Sequence, residues 1–222
     1  MKKVLFLILT IASIITTQTF AQTYSIKAGL NLSTIIGSLG GHTYNNNQKK
    51  AKFGPLLGAM VEFPISKIFS IETGMLISTK GYKVDYNYEE DLTHETTNYK
   101  STLTLYYLNI PLTAKASFNL GGIKAHGAFG PYFGLGLYGK GKDETTRNGE
   151  TEINEYKCYW GINTYNQIDM GLGTSVGVEI DAFKIDLSYD FSLINIDGIS
   201  KNDLKSKNQV IGLSMSYIIR RK

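Results

Sequence analysis

Residues 167–193 read QIDMGLGTSVGVEIDAFKIDLSYDFSL, and the alternation within them decides the fold. Ile168, Met170, Leu172, Val176, Val178 and Ile180 are interleaved with Gln167, Asp169, Gly171, Gly173, Ser175, Gly177 and Glu179. After Asp181-Ala182-Phe183 the pattern returns: Ile185, Leu187, Tyr189, Phe191 and Leu193 alternate with Lys184, Asp186, Ser188, Asp190 and Ser192. Apolar residues spaced by two share one face of a β-strand. Two such strands with so short a link form an antiparallel hairpin with one apolar face and one face of small and charged residues.

Working outward from that hairpin, the same reading yields eight strand candidates: 23–35, 51–63, 68–82, 100–118, 123–140, 167–180, 184–196 and 208–219. The spacing typical of amphipathic helices is nearly absent. Pro64-Ile65-Ser66-Lys67, Asn119-Leu120-Gly121-Gly122 and Asp181-Ala182-Phe183 are short links, whereas 36–50, 83–99, 141–166 and 197–207 are long and polar. Long and short links alternate along the chain, as they do in an up-and-down barrel with turns at one rim and loops at the other. The glycine-rich stretch from Gly127 to Gly141 keeps Phe129, Phe133, Leu135 and Leu137 in alternation with small residues and Tyr132, and reads as a curving strand rather than a linker. No shift of composition divides the chain, so one domain is expected.

The composition of the two faces decides the setting. The polar face is mostly Gly, Ser, Thr and Asn with spaced charges: Lys27, Glu62, Glu72, Lys115, Lys124, Asp169, Glu179, Asp186 and Asp190, with His126 beside Lys124. Small residues and paired charges suit the cramped lumen of an eight-stranded barrel. The opposite face is nearly free of charge, as a lipid-facing surface must be. Tyr24, Phe63, Phe69, Phe118, Phe183 and Tyr217 gather near the short links, and Tyr82, Tyr99 and Tyr138 near the long ones, which fits aromatic belts at two membrane interfaces. The expected fold is all-β, an eight-stranded antiparallel up-and-down transmembrane β-barrel. A soluble barrel binding an apolar ligand inside is the alternative with the faces reversed.

Composition and the first segment narrow the rest. Among 222 residues there are 23 glycines, 15 tyrosines, four prolines and one cysteine, with 19% charged side chains, which excludes disordered and disulfide-framework classes. Lys2 and Lys3 precede the apolar run from Val4 to Ile15, and Thr19-Phe20-Ala21 follows, the layout of a secretory signal peptide. Cleavage after Ala21 is expected, leaving a single barrel domain over 22–222 of 201 residues. The residue directly after the cut is Gln22 rather than a cysteine, so no lipid anchor is expected. The remaining 21 basic and 19 acidic residues give +2, which removes the case for nucleic acid. The expected location is the cell outer membrane of a Gram-negative bacterium.

Four motifs in order resemble those of a known family: Gly29-Leu30-Asn31-Leu32-Ser33; Tyr107-Leu108-Asn109-Ile110-Pro111-Leu112 with Lys115; Gly130-Pro131-Tyr132-Phe133-Gly134-Leu135-Gly136; and Asp169-Met170-Gly171-Leu172-Gly173 followed by Gly177-Val178-Glu179. In these residues the chain resembles the PorT-like outer-membrane β-barrel family of the Bacteroidota over nearly all of its mature length. The resemblance implies an eight-stranded outer-membrane barrel and no defined activity, since function belongs to sites rather than folds. Gly212, Met215 and Tyr217 resemble a recognition signal for the barrel insertion machinery, although Ile218-Ile219-Arg220-Arg221-Lys222 follow it.

Catalytic patterns are missing. His42, His94 and His126 are scattered, with no HExxH and no CxxC, so no metal site, cofactor or catalytic residue is expected. Asp85, Glu89, Glu90, Asp91 and Glu95 make the second long link acidic, and Trp160 stands in the third with Cys158. These form the candidate interaction surface, and the charged residues of the polar face form a candidate structural lumen network. The expected role is structural or interactive, through surface loops, by a non-enzymatic monomer. Its expected partners are outer-membrane lipid, the insertion machinery during assembly, and an extracellular ligand or partner protein. A small pore or a transport or secretion accessory is the second reading.

Overall fold

A computed structural model describes residues 22–37, 48–89, 96–161, 165–196 and 206–219. They form ten strands: β1 (Thr23–Ile36), β2 (Lys49–Lys50), β3 (Lys52–Pro64), β4 (Phe69–Glu89), β5 (Thr96–Asn119), β6 (Ile123–Arg147), β7 (Glu150–Cys158), β8 (Ile168–Ile180), β9 (Phe183–Ser192) and β10 (Lys207–Ile219). Eight of them close a ring in the order β1-β3-β4-β5-β6-β8-β9-β10, every pair antiparallel. The closing pair runs from Tyr24 opposite Ile219 to Ile36 opposite Lys207. Closure satisfies every ladder group of the spanning strands within the protein, which a hydrocarbon layer demands.

The ring corresponds to the eight expected strands, with different ends. β4, β5 and β6 run to Glu89, back from Thr96 and out to Arg147, so most of 83–99 is strand rather than loop. The 141–166 link likewise holds the end of β6 and all of β7, and β2 adds a short partner to β4. The alternation persists there as Tyr82, Val84, Tyr86 and Tyr88 between Lys83, Asp85 and Asn87, but its polar content disguises it. Arg147-Asn148-Gly149-Glu150 forms the tip of the β6–β7 hairpin, with φ of 53° at Asn148 and 82° at Gly149. An Asn-Gly pair tolerates these left-handed angles and favours a two-residue hairpin turn.

Alternation sets the two faces. Ile26, Leu30, Phe53, Leu57, Met75, Phe129, Val176, Leu187 and Leu213 project outward and are exposed, forming an apolar band around the ring. Tyr24, Phe69, Phe118, Phe183 and Tyr217 mark its short-link edge, all exposed, with Phe183 and Tyr217 in edge contact at 5.5 Å. At the other edge Tyr106 and Tyr138 pair outward at 6.0 Å. Tyr82 departs from the expected belt: it packs inward against the cluster of Ile35, Val84 and Ile196 and that of Leu103, Leu105 and Tyr107. The register explains this, because Tyr82 lies opposite Leu103 on the inner face.

Candidate functional site: a filled lumen beneath a projecting sheet

Inward-facing alternate residues fill the barrel with paired charges. On the short-link side, Lys115 Nζ lies 2.7 Å from Glu62 and 3.7 Å from Glu72. Lys184 donates to Glu72 from across the lumen and stands 3.9 Å from Asp186. Asp186 accepts from Lys27 at 3.0 Å and lies 2.6 Å from His126 Nε2. Three lysines and three carboxylates from five strands therefore share one chain of contacts. Lys27, Glu72, Lys115, His126, Lys184 and Asp186 are all buried. Removing water from so many charges is costly, and sharing of partners is what offsets it. Nearer the mouth, Lys124 lies 3.6 Å from Glu179, beside a 310 Å³ pocket lined by Glu62, Ser70, Ser117 and Lys67.

Further along the lumen, Lys80 and Asp169 meet at 2.7 Å with both side chains 0% exposed. Ser192 and Tyr132 hydroxyls donate to Asp169 at 2.5 Å and 3.3 Å, and the Asn208 amide approaches it at 3.5 Å. The Lys80 ammonium also sits over the Tyr132 ring at 4.4 Å and the Tyr107 ring at 5.2 Å. A desolvated cation between aromatic faces gains from both ring quadrupoles. Lys80 was not among the sequence candidates, although counting by twos from Glu72 places it on the inner face.

Between these two layers lies a 70 Å³ cavity lined by Lys27, Glu72, Asn109, Tyr132, Asp190 and the apolar group Leu56, Met60 and Leu76. Asp190 faces this cavity rather than either ion-pair layer. Toward the long-link side the filling turns apolar. Trp160 lies over Gly136, where a Cβ would come within 2.6 Å of its ring, and meets Tyr107 edge-on at 5.5 Å and 65°. Cys158 is buried against Leu105 and Gly139, and burial pushes its thiol up to about 11. Trp160 therefore packs with the lumen filling, apart from the acidic residues grouped with it in the sequence.

Those acidic residues are distributed along the projecting sheet. Asp85 stands on β4, 2.6 Å from Lys50 and within hydrogen-bond reach of Asn98, and both hold its carboxyl below the usual range. Glu89 is the last residue of β4, while Glu90, Asp91 and Glu95 lie outside the described residues. β6 continues nine residues past Tyr138, about 30 Å along the strand at ~3.3 Å per residue, and β7 follows it back. Among the described residues no group of three or more His, Cys, Asp or Glu could hold a metal ion.

In comparisons with known proteins, no curated protein matches the chain. Among solved structures it is similar to Ail, the attachment invasion locus protein of Yersinia pestis, at 16% identity and TM-score 0.39, covering 90% of this chain and 100% of that one. It is similar to the outer membrane protein OprG of Pseudomonas aeruginosa at 12% identity and TM-score 0.43, covering 90% and 97%. Neisserial surface protein A matches at 12% identity and TM-score 0.41, covering 87% and 96%. The model of the outer membrane protein beta-barrel domain matches residues 20–198, and with that match the chain belongs to this family of outer-membrane barrels.

Proposed function

We propose that the protein is a non-enzymatic, non-conducting outer-membrane barrel that works at the cell surface through its projecting sheet and loops. In this reading residues 1–21 are removed on export, both ends of the mature chain and the short links face the periplasm, and the long links face outward. The observation that carries it is the contrast between the two halves of the molecule. The lumen is filled by Lys80–Asp169 and the Lys27–Asp186–Lys184–Glu72–Lys115 chain, while β4 to β7 extend well past the apolar band. The ordered motifs around Leu30, Asn109, Tyr132 and Met170 support a place in the PorT-like branch. Partners at the surface are an extracellular ligand or protein, with lipid around the band.

Impermeant maleimide labelling of intact cells tests the orientation and the exposed role together. In a Cys158→Ser background, a cysteine replacing Glu152 on β7 should be labelled on whole cells. One replacing Gly121 in the β5–β6 turn should be labelled only after lysis. The reverse pattern, or equal labelling of both, overturns the reading.

A further inference from the structure

The outward face of β2, β4, β5, β6 and β7 carries its side chains in rows that the register fixes. Ile77 lies opposite Leu108, which lies opposite Leu135, and these belong to the apolar band. One step further out, Tyr106 and Tyr138 form the next row, opposite the buried Thr79, with the two tyrosine rings 6.0 Å apart. The row after that holds Lys140 and Lys157 beside the buried Thr104. Beyond it come Lys50, Lys83, Thr102, Lys142 and Glu155, and then Asp85, Lys100, Glu144 and Ile153. Apolar, aromatic and basic rows thus follow one another over three steps, each about 6.6 Å along the strand.

Six lysines share this face with three carboxylates. Lys50 pairs with Asp85 and Lys142 with Glu144, both at 2.6 Å. That leaves four lysines: Lys100 lies in the outermost row opposite Asp85 and Glu144, while Lys83, Lys140 and Lys157 are exposed nearer the tyrosines, with buried Lys52 as a further cation close to Lys83 and Lys140. On the opposite side of the ring the described outward positions near the same edge are Ile168 and Met170 of β8, Tyr189 and Phe191 of β9 and Leu193 after it, with one cation, Lys207 of β10, over the Phe191 ring at 5.4 Å. The basic face is continuous with the lipid-facing band and begins where its aromatic row ends, at the depth of headgroups. Anionic headgroups attract such a basic patch at the membrane surface.

From these rows we infer that Lys83, Lys140 and Lys157 form a binding surface for the phosphate groups of outer-leaflet lipid headgroups. The inference rests on the orientation proposed above, because only then does this rim meet the outer leaflet. It gives the barrel a preferred lipid contact on one side, and so a fixed rotational setting among its membrane neighbours.

The test uses the full-length mature barrel in phosphatidylcholine nanodiscs doped with bis-phosphorylated lipid A or with its dephosphorylated form. Native mass spectrometry after detergent release counts the glycolipid that remains bound. The wild type should retain the phosphorylated form at least about fivefold more than the dephosphorylated one. Lys83→Gln/Lys140→Gln/Lys157→Gln should lose that preference, and the Arg triple should keep it. Equal retention of the two glycolipids, or an unchanged preference in the Gln triple, overturns the inference. Phosphatidylglycerol in place of lipid A serves as a control for unspecific anionic attraction, and retention of it as strong as that of lipid A also overturns it. A protein that fails to insert, with no heat-modifiable band in gels, defeats the membrane reading itself. A protein that inserts without the preference defeats only the headgroup surface.

Discussion

Lys80 is the residue on which the interior most depends. Its stem crosses the lumen and its ammonium meets Asp169 between the Tyr107 and Tyr132 rings. Removing one partner of a fully buried pair leaves an uncompensated charge, which costs about 3–5 kcal/mol. Lys80→Met should therefore lower the stability of the vesicle-inserted barrel by roughly that amount in denaturant unfolding, and Lys80→Met/Asp169→Leu should recover most of the loss. A double variant as unstable as the single one would show that the pair is not the unit. Cys158 offers a second check. With the thiol held at about 11 against an ordinary 9.0, its thiolate at pH 8 is about a hundredfold scarcer than in an unhindered cysteine. Iodoacetamide should alkylate the folded protein slower by at least that factor. The sign also sets a pH window: the folded state holds this proton more tightly, so its contribution is complete below about pH 9 and declines as pH rises toward 11. Most inner residues were legible from alternation alone, because Lys27, Glu72, Asp169 and Asp186 fall on one parity of clear strands. Lys80 and Trp160 were not: Lys80 falls on the inner parity of the 68–82 strand, but its neighbours Thr79 and Gly81 are not apolar, so the contrast between the two faces fades at that point. Trp160 lies two residues beyond the inward Cys158, at the end of a strand whose exposed length carries no apolar periodicity to mark that face.

At the scale of elements, the β6–β7 hairpin shows what sequence patterning conceals. β7 is exposed from Glu150 to Lys157, so no apolar periodicity marks it, and its strand character comes from pairing with β6. The Asn148-Gly149 pair was the available signal, since it prescribes the turn wherever two strands can flank it. Gly149→Val forces a branched side chain to φ of 82°, at a local cost of about 1–2 kcal/mol. That substitution should raise protease cleavage near the tip severalfold while leaving the heat-modifiable shift of the barrel intact. Loss of the shift as well would mean that the hairpin is part of the folding unit of the ring. The ring strands themselves were readable because one face of each meets lipid and the other a filled lumen, which enforces strict alternation. The projecting ends face water on at least one side and obey no such constraint.

For the whole molecule, closure and filling are separate achievements. Ring closure depends on β1 pairing with β10 over thirteen residue pairs, which brings together the two ends of the chain. Filling depends on side chains from every ring strand, arranged as a charged layer, a 70 Å³ cavity, a second charged layer and an apolar cap. A path for ions would have to break at least Lys80–Asp169 and displace Trp160. The measurement that bears most directly on this arrangement is single-channel recording of the purified protein in planar bilayers. A filled lumen predicts no stable conductance steps across repeated insertions verified by heat-modifiability. Reproducible steps of one defined size from the wild-type protein would contradict it and make the barrel a pore.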